Sequence, residues 1–120
     1  MMYKKFDIPE EVIKESLNIL ETSAKSGRIR KGTNEVTKAI ERKTAQLVYI
    51  AEDVNPPEIV MHLPLLCEEQ DVAYTYVATK EELGKAAGLK VGSASIAIVD
   101  GGEAKQALKG LNKKLNELKK

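Results

Sequence analysis

Helix-like and strand-like periods alternate along this 120-residue chain, which predicts an α/β protein, a single-domain three-layer α/β/α sandwich over a small mixed β-sheet. Three observations carry that expectation. Leu47–Ala51 is a compact apolar run of strand length, and several amphipathic stretches of helical period surround it. At 42% hydrophobic and 31% charged residues, the chain can bury one core and keep a solvated surface, so residues 1–120 are read as one domain.

The elements follow in order. Ile8-Pro9-Glu10-Glu11 opens a helix, with proline near the first turn and acids at the positive end of the helix dipole. Val12, Ile13, Leu17, Ile19, Leu20 and Ala24 give it an apolar side, and Ser26-Gly27 ends it. Arg28–Lys31 reads as an edge strand, whose charge suits exposure. A helix follows to about Arg42, with Thr33 and Asn34 as capping residue types, and then the buried strand Leu47–Ala51. Glu52–Pro57 is a turn into a helix over Ile59–Glu69, where Pro64 is expected to remove a hydrogen bond and bend the axis. Val72–Val77 alternates as a strand. Thr79-Lys80-Glu81-Glu82 is a capping-box pattern for a helix that Gly88 stops. The loop 89–93 leads to a strand at Ala94–Val99, the turn Asp100–Gly102, and a last helix over Glu103–Leu118. Its expected core face is Ala107, Leu108, Leu111, Leu115 and Leu118.

Composition excludes several classes. No apolar run is long enough to span a bilayer, and Met1–Asp7 is not followed by the apolar core of a signal peptide. The single cysteine, Cys67, excludes an internal disulfide and a cysteine-based zinc cluster, so a cytoplasmic protein is expected. Net charge is only +1, yet its distribution is polar. Lys25–Lys43 holds seven Lys/Arg against two Glu, Glu52–Asp71 holds six acids and no Lys or Arg, and Glu103–Lys120 holds six Lys against two Glu. Local fields of this kind steer charged partners.

The most informative stretch is Gly32–Lys43, preceded by Arg28-Ile29-Arg30-Lys31. Helical spacing from Asn34 puts Lys38 and Arg42 on one face with Glu35 beside them, while Val36, Ala39 and Ile40 turn inward. Gly32 leaves room for a ligand at a helix N-terminus, whose free N–H groups favour phosphate. Cations for a backbone beside an amide and a carboxylate for base edges suit a nucleic-acid reader. A carboxylate repels phosphate, so Glu35 would accept from a guanine or cytosine donor. Regular A-form RNA hides base edges in its deep groove, which favours a distorted, non-Watson–Crick site. A solvated surface helix accounts for the same spacing. In the loop, Leu89 and Val91 flank Lys90, and the apolar pair either packs on an extruded base or tucks under the loop.

Catalytic groups are sparse. His62 and Cys67, five apart on one helix, point roughly 140° apart and cannot readily act together. Glu52 and Asp53 read more simply as helix caps than as a metal pair, and no phosphate-loop motif is present. No cofactor or metal site is read from the chain.

Gly-Thr-Asn-Glu-Val-Thr-Lys-Ala-Ile-Glu-Arg from Gly32, Leu-Val-Tyr-Ile-Ala-Glu-Asp-Val-Asn-Pro from Leu47, His-Leu-Pro-Leu-Leu-Cys-Glu-Glu from His62 and Lys-Glu-Glu-Leu-Gly-Lys-Ala-Ala-Gly from Lys80 together resemble the L-seven-Ae family of archaeal large-subunit ribosomal proteins. These bind kink-turns and are related to the eukaryotic fifteen-point-five-kilodalton snRNP protein. The resemblance covers nearly the whole chain. It implies a non-enzymatic protein, monomeric when free, that recognises kink-turns and kink-loops, where tandem sheared G·A pairs follow a three-nucleotide bulge. Carried over residue by residue, Gly32, Thr33, Asn34, Glu35 and Lys38 read the guanines, Arg42 and Lys80 hold phosphates, and Leu89, Lys90 and Val91 cap the bulge. The RNA partners implied are 23S rRNA, box C/D and H/ACA guide RNAs and ribonuclease P RNA. A Nop-domain protein and, through it, fibrillarin are the protein partners implied. Two positions depart from the family pattern, with Lys43 where glycine is common and Lys90 where the loop often has Glu. The alternative reading is an interaction scaffold using the acidic stretch 52–71, with RNA binding nonspecific. A small hydrolase using His62 or Cys67 is a more distant third.

Overall fold

The computed structural model describes residues 8–119; Met1–Asp7, the segment on which the signal-peptide expectation bears, and Lys120 lie outside the described residues. The elements are α1 (Glu10–Ser26), β1 (Arg28–Lys31), α2 (Thr33–Glu41), β2 (Leu47–Ala51), α3 (His62–Glu69), β3 (Ala73–Val77), α4 (Lys80–Ala86), β4 (Ser95–Asp100) and α5 (Lys105–Lys119), with 3-10 turns at Pro57–Ile59 and Gly102–Ala104. The four strands form one sheet in the order β1-β4-β2-β3. β4 runs antiparallel to both β1 and β2, and β2 and β3 are parallel, with Leu47 opposite Ala73 and Ala51 opposite Val77. The sheet is therefore mixed.

Every residue of β2 and β3 is buried, so helices must cover both faces of the sheet. Side-chain direction alternates along a strand, and the hydroxyls show which face is which. Tyr49 donates to the Ser16 carbonyl of α1, whereas Tyr74, one residue out of phase across the register, donates to the Glu68 carboxylate of α3. Helices α1, α4 and α5 thus cover one face and α2 and α3 the other. Tyr74 and Tyr76 meet edge to face with ring centroids 6.0 Å apart, an arrangement that adds about 0.5–1.5 kcal/mol beyond area burial. Burial pushes the phenols of both Tyr49 and Tyr74 well above their usual range, and for Tyr74 the bond to Glu68 adds to the shift.

Several sequence expectations need correction. The helix over Ile59–Glu69 is a 3-10 turn followed by α3 from His62, so Pro64 lies in a first turn, where its missing N–H has no intrahelical acceptor to lose. No bend is needed there. β3 begins one residue later than expected, at Ala73, and all five of its residues are buried, Thr75 included. β4 begins one residue later than expected, and the last helix starts as a 3-10 turn. That turn brings Ala104 into the core with Leu108, Leu111 and Leu115, while Ala107 is exposed and Leu118 only half-buried. In α1 the innermost stripe is Ser16, Ile19, Leu20 and Ser23. Val12, Ile13, Leu17 and Ala24 flank it half-buried.

Helices α2, α3 and α4 stop by one device. In each, the second residue past the cap donates back to the carbonyl five before it (Thr44 to Ala39, Val72 to Cys67, Leu89 to Gly84). Its predecessor donates to the carbonyl three before (Lys43 to Ile40, Asp71 to Glu68, Gly88 to Lys85). This paired closure is the Schellman motif, and it requires a left-handed residue. Gly88 supplies it without steric penalty at φ 79°, whereas Lys43 and Asp71 adopt φ 59° and 58° with a Cβ present. Asp tolerates that region better than Lys. Lys43→Gly is therefore expected to raise stability by about 0.5–1 kcal/mol, read as a higher urea midpoint at unchanged m-value; a lower midpoint would show that Lys43 makes a compensating contact.

Candidate nucleic-acid interface

The strand directions place one edge of the sheet under several chain reversals. The carboxyl ends of β1, β2 and β3 and the amino end of β4 lie together there. Helix α2 starts two residues after β1, α4 starts three residues after β3, and the loop 89–94 enters β4. Two helix N-termini and one loop are thus gathered at a single edge, the usual place for ligands in open α/β sheets.

At the start of α2, Gly32 is the N-cap, with φ 90° and ψ 144°, a conformation that essentially only glycine adopts. Its N–H donates to the Ser95 carbonyl (3.2 Å), and its carbonyl accepts from Val36 N–H (2.9 Å). No protein atom lies within 4 Å of where a Cβ would stand, so the approach to the backbone is open. No side chain caps this helix, which corrects the expectation for Thr33 and Asn34. Thr33 is already helical, and its hydroxyl turns inward to Ser95 Oγ, 3.3 Å away. The first-turn N–H groups of α2 consequently face outward with no protein acceptor among the described residues. Asn34 and Glu35 are exposed beside them. The second turn is braced from α3: Thr37 Oγ1 donates to Thr33 O (2.7 Å) and lies 2.9 Å from His62 Nε2.

The loop from Leu89 to Ser93 stands against this helix start. Lys31, Gly32, Leu89, Lys90, Val91, Gly92 and Ser93 line a shallow cavity of about 370 Å³. The apolar pair divides its roles. Leu89, drawn down by its hydrogen bond to Gly84, is half-buried and packs on the core, whereas Val91 is 72% exposed. The loop is pinned by Ser93 N–H to Lys80 O (3.0 Å) and by Ser93 Oγ to Ser95 O (2.9 Å). It also lies directly on α4, where a Cβ at Gly84 would sit 2.1 Å from the Val91 carbonyl oxygen. Lys80, one turn earlier on α4, touches the same loop, since a Cβ at Gly92 would meet its backbone and Cγ at 3.2 Å. Its helix is capped twice, by Thr79 Oγ1 accepting from Glu82 N–H (3.1 Å) and by Asp53 Oδ1 accepting from Lys80 N–H (2.8 Å). Asp53 is thus a cap, but of α4 and not of the turn that follows it.

On the far side of α2, a second cleft of about 220 Å³ is lined by Arg28, Arg30, Glu35, Lys38, Arg42 and smaller neighbours. Lys38 Nζ and Glu35 Oε2 are 3.3 Å apart with both side chains about half exposed. A pair so wet contributes roughly 0–1 kcal/mol, so the carboxylate is readily released to another donor.

The structure therefore gathers most of the expected residues around the first turns of α2, in two cavities. Gly32, Leu89, Lys90 and Val91 share the first cavity, Glu35, Lys38 and Arg42 share the second, and Asn34 lies exposed beside Glu35. Lys80 lines neither and borders the loop; the Thr33 side chain faces inward. Sequence reasoning missed Gly84, whose place inside a helix is itself a packing signal. It also left Arg28 and Arg30 as edge-strand charges. His62 and Cys67 do not meet: Cys67 is fully buried and His62 is exposed against α2. Among the described residues no group of three His, Cys, Asp or Glu side chains is placed to hold a metal ion, and no helix is long and apolar enough to cross a membrane.

Comparison with known proteins agrees with this arrangement. The family model described as the ribosomal protein L7Ae/L30e/S12e/Gadd45 family matches residues 14–108. Among solved structures, the 15.5kD RNA binding protein of Giardia lamblia superposes with a TM-score of 0.85 at 34% sequence identity, covering 92% of each chain.

The contact at Gly84 is open to test. Alanine there gains about 1 kcal/mol of helix propensity but must displace a backbone carbonyl. Gly84→Ala is expected to lower stability by about 1–2 kcal/mol net and to speed amide exchange at Leu89 and Ser93. An unchanged urea midpoint with unchanged exchange would mean that the loop does not depend on this contact.

Proposed function

The chain belongs to the ribosomal protein L7Ae/L30e/S12e/Gadd45 family, and from that premise we propose that it is a non-enzymatic RNA-binding protein whose target is the kink-turn or kink-loop. The observation that carries the reading is the junction at Gly32. There an open helix N-terminus bearing Asn34 and Glu35 adjoins a cavity edged by the exposed Val91. Outward N–H groups and Lys38 suit phosphate, and the Asn34 amide and Glu35 carboxylate suit guanine edges in sheared pairs. Val91 suits an unstacked base of the bulge. Lys80, against the loop at Gly92, and Arg42, in the second cleft, would hold phosphates. In this reading Gly32 is kept for its backbone, Thr33 orients the turn through Ser95, and Lys90 adds a cation at the bulge.

The partners that follow are 23S rRNA, box C/D and H/ACA guide RNAs and ribonuclease P RNA, in the cytoplasm, with the protein monomeric until it binds. A second surface favours protein docking. Ile59, Met61 and Leu65 are exposed, at 44%, 39% and 53%, along the acidic stretch 52–71. We assign this face to a protein partner, a Nop-domain protein that brings fibrillarin to the C/D particle. The same patch would serve the alternative, a scaffold with only nonspecific RNA binding.

Titration against a kink-turn hairpin, beside a control whose G·A pairs are replaced by Watson–Crick pairs, separates the two. The kink-turn should bind far more tightly; equal binding of both would leave only a nonspecific phosphate surface. Glu35→Ala should cost about 1–3 kcal/mol on the kink-turn alone. Lys38→Ala should weaken binding and reduce its salt slope by about 1. A Glu35→Ala variant that still binds like the parent would remove this carboxylate from the interface.

A further inference from the structure

The cleft between β1 and α2 carries more positive charge than the reading of a motif requires. Arg28, Arg30, Lys38 and Arg42 line it against the single carboxylate of Glu35. Among the described residues the ion pairs are Glu35–Lys38, Asp100–Lys105 and Glu15–Lys114, so no carboxylate neutralises Arg28, Arg30 or Arg42. Three guanidinium groups and an ammonium set against one carboxylate leave the cleft with a surplus of positive charge. Such a cluster is relieved by an anion carrying several charges at fixed spacing.

The geometry points to a clamp for the phosphate backbone of a duplex stem running on from the kinked motif, with Arg28 and Arg30 as its jaws; this rests on the RNA reading above. β1 is an edge strand, and among the described residues no strand pairs with its outer side. Arg28 and Arg30 stand two residues apart, about 7 Å along an extended strand, and so address successive phosphates of one backbone. Guanidinium is the group best suited to phosphate oxygens. The rest of the lining is Ala39, Thr44 and Val99. It contains no aromatic ring on which an unpaired base could stack, so the cleft offers charge to a phosphate backbone without the aromatic platform of a single-strand groove. An edge strand of charged residues also opposes the addition of a polypeptide strand. The cleft is continuous with Glu35, so a stem held there extends from the RNA read at the start of α2.

The test compares wild type with Arg28→Gln/Arg30→Gln on two kink-turn hairpins, one with stems ending beside the motif and one with both stems extended by a full helical turn, at several salt concentrations. The variant should keep or slightly raise the thermal midpoint of the free protein, since it removes part of that surplus charge. On the long-stem RNA it should lose about tenfold in affinity, with a salt slope smaller by about 2, and on the short-stem RNA it should match wild type. Equal loss on both lengths would place the arginines in motif recognition, and no loss on either would separate the cleft from RNA; each overturns the clamp. Polyglutamate binding by wild type that is abolished in the variant, with each RNA bound equally by the two proteins, would assign the cleft to an acidic polypeptide and overturn it as well. The kink-turn reading can fail independently, through equal binding of the Watson–Crick control by wild type. The stem-length comparison then still reports on the arginines with plain duplexes.

Discussion

Burial of β2 and β3 on both faces is the constraint from which the rest of the architecture follows. A strand pair as apolar as Leu47–Ala51 with Ala73–Val77 cannot leave either face to water, so the chain must supply a helical layer on each side. The parallel pairing of β2 with β3 forces a long crossover between them, and α3 lies in it. That crossover returns β3 in the direction of β2, and β1 runs the same way because both β1 and β2 are antiparallel to β4, so α2 and α4 start at the same edge. The surface proposed to meet RNA is thus a by-product of how the core is closed. The residues on it are held by elements whose own stability lies deeper in the protein.

Two different physical economies meet on that surface. Around Gly32 and the loop, precision comes from the backbone: a glycine-only conformation, a carbonyl lying over Gly84, and Ser93 tied to Lys80 and Ser95. None of those contacts is an ion pair. Along β1 and the outer side of α2 the opposite holds, because exposed cations on long side chains give attraction without fixed geometry. Placing the rigid region and the charged region on either side of one helix turn lets a ligand be attracted broadly and then checked locally.

Much of this was legible in the sequence, for reasons that can be named residue by residue. The run Leu47–Ala51 had to be a buried strand, and Val36, Ala39 and Ile40 had to face inward, because hydrophobic period fixes side-chain direction. Cys67 and His62 could be separated by helical geometry alone. The failures share a cause, which is that local patterns do not reveal long-range approach. Thr33 looked like a cap until Ser95, 62 residues away, took its hydroxyl. Asp53 looked like a cap for its own turn, yet its acceptor is used by Lys80 across the fold. Leu89 and Val91 looked equivalent, and only the helix closure at Gly84 tells which one goes inward. Ala107 gave way to Ala104 because a 3-10 turn changed the phase of the last helix.

The brace between α3 and α2 also orients a ring. The single proton of the Thr37 hydroxyl is donated to Thr33 O, so toward His62 this oxygen accepts. The hydrogen between the two side chains then belongs to Nε2 of the imidazole, which selects one of its two tautomers. A threonine that answers to its own helix on one side and to a neighbouring ring on the other ties the start of α2 to α3, and the chain's only histidine serves here as a strut for the RNA-facing helix.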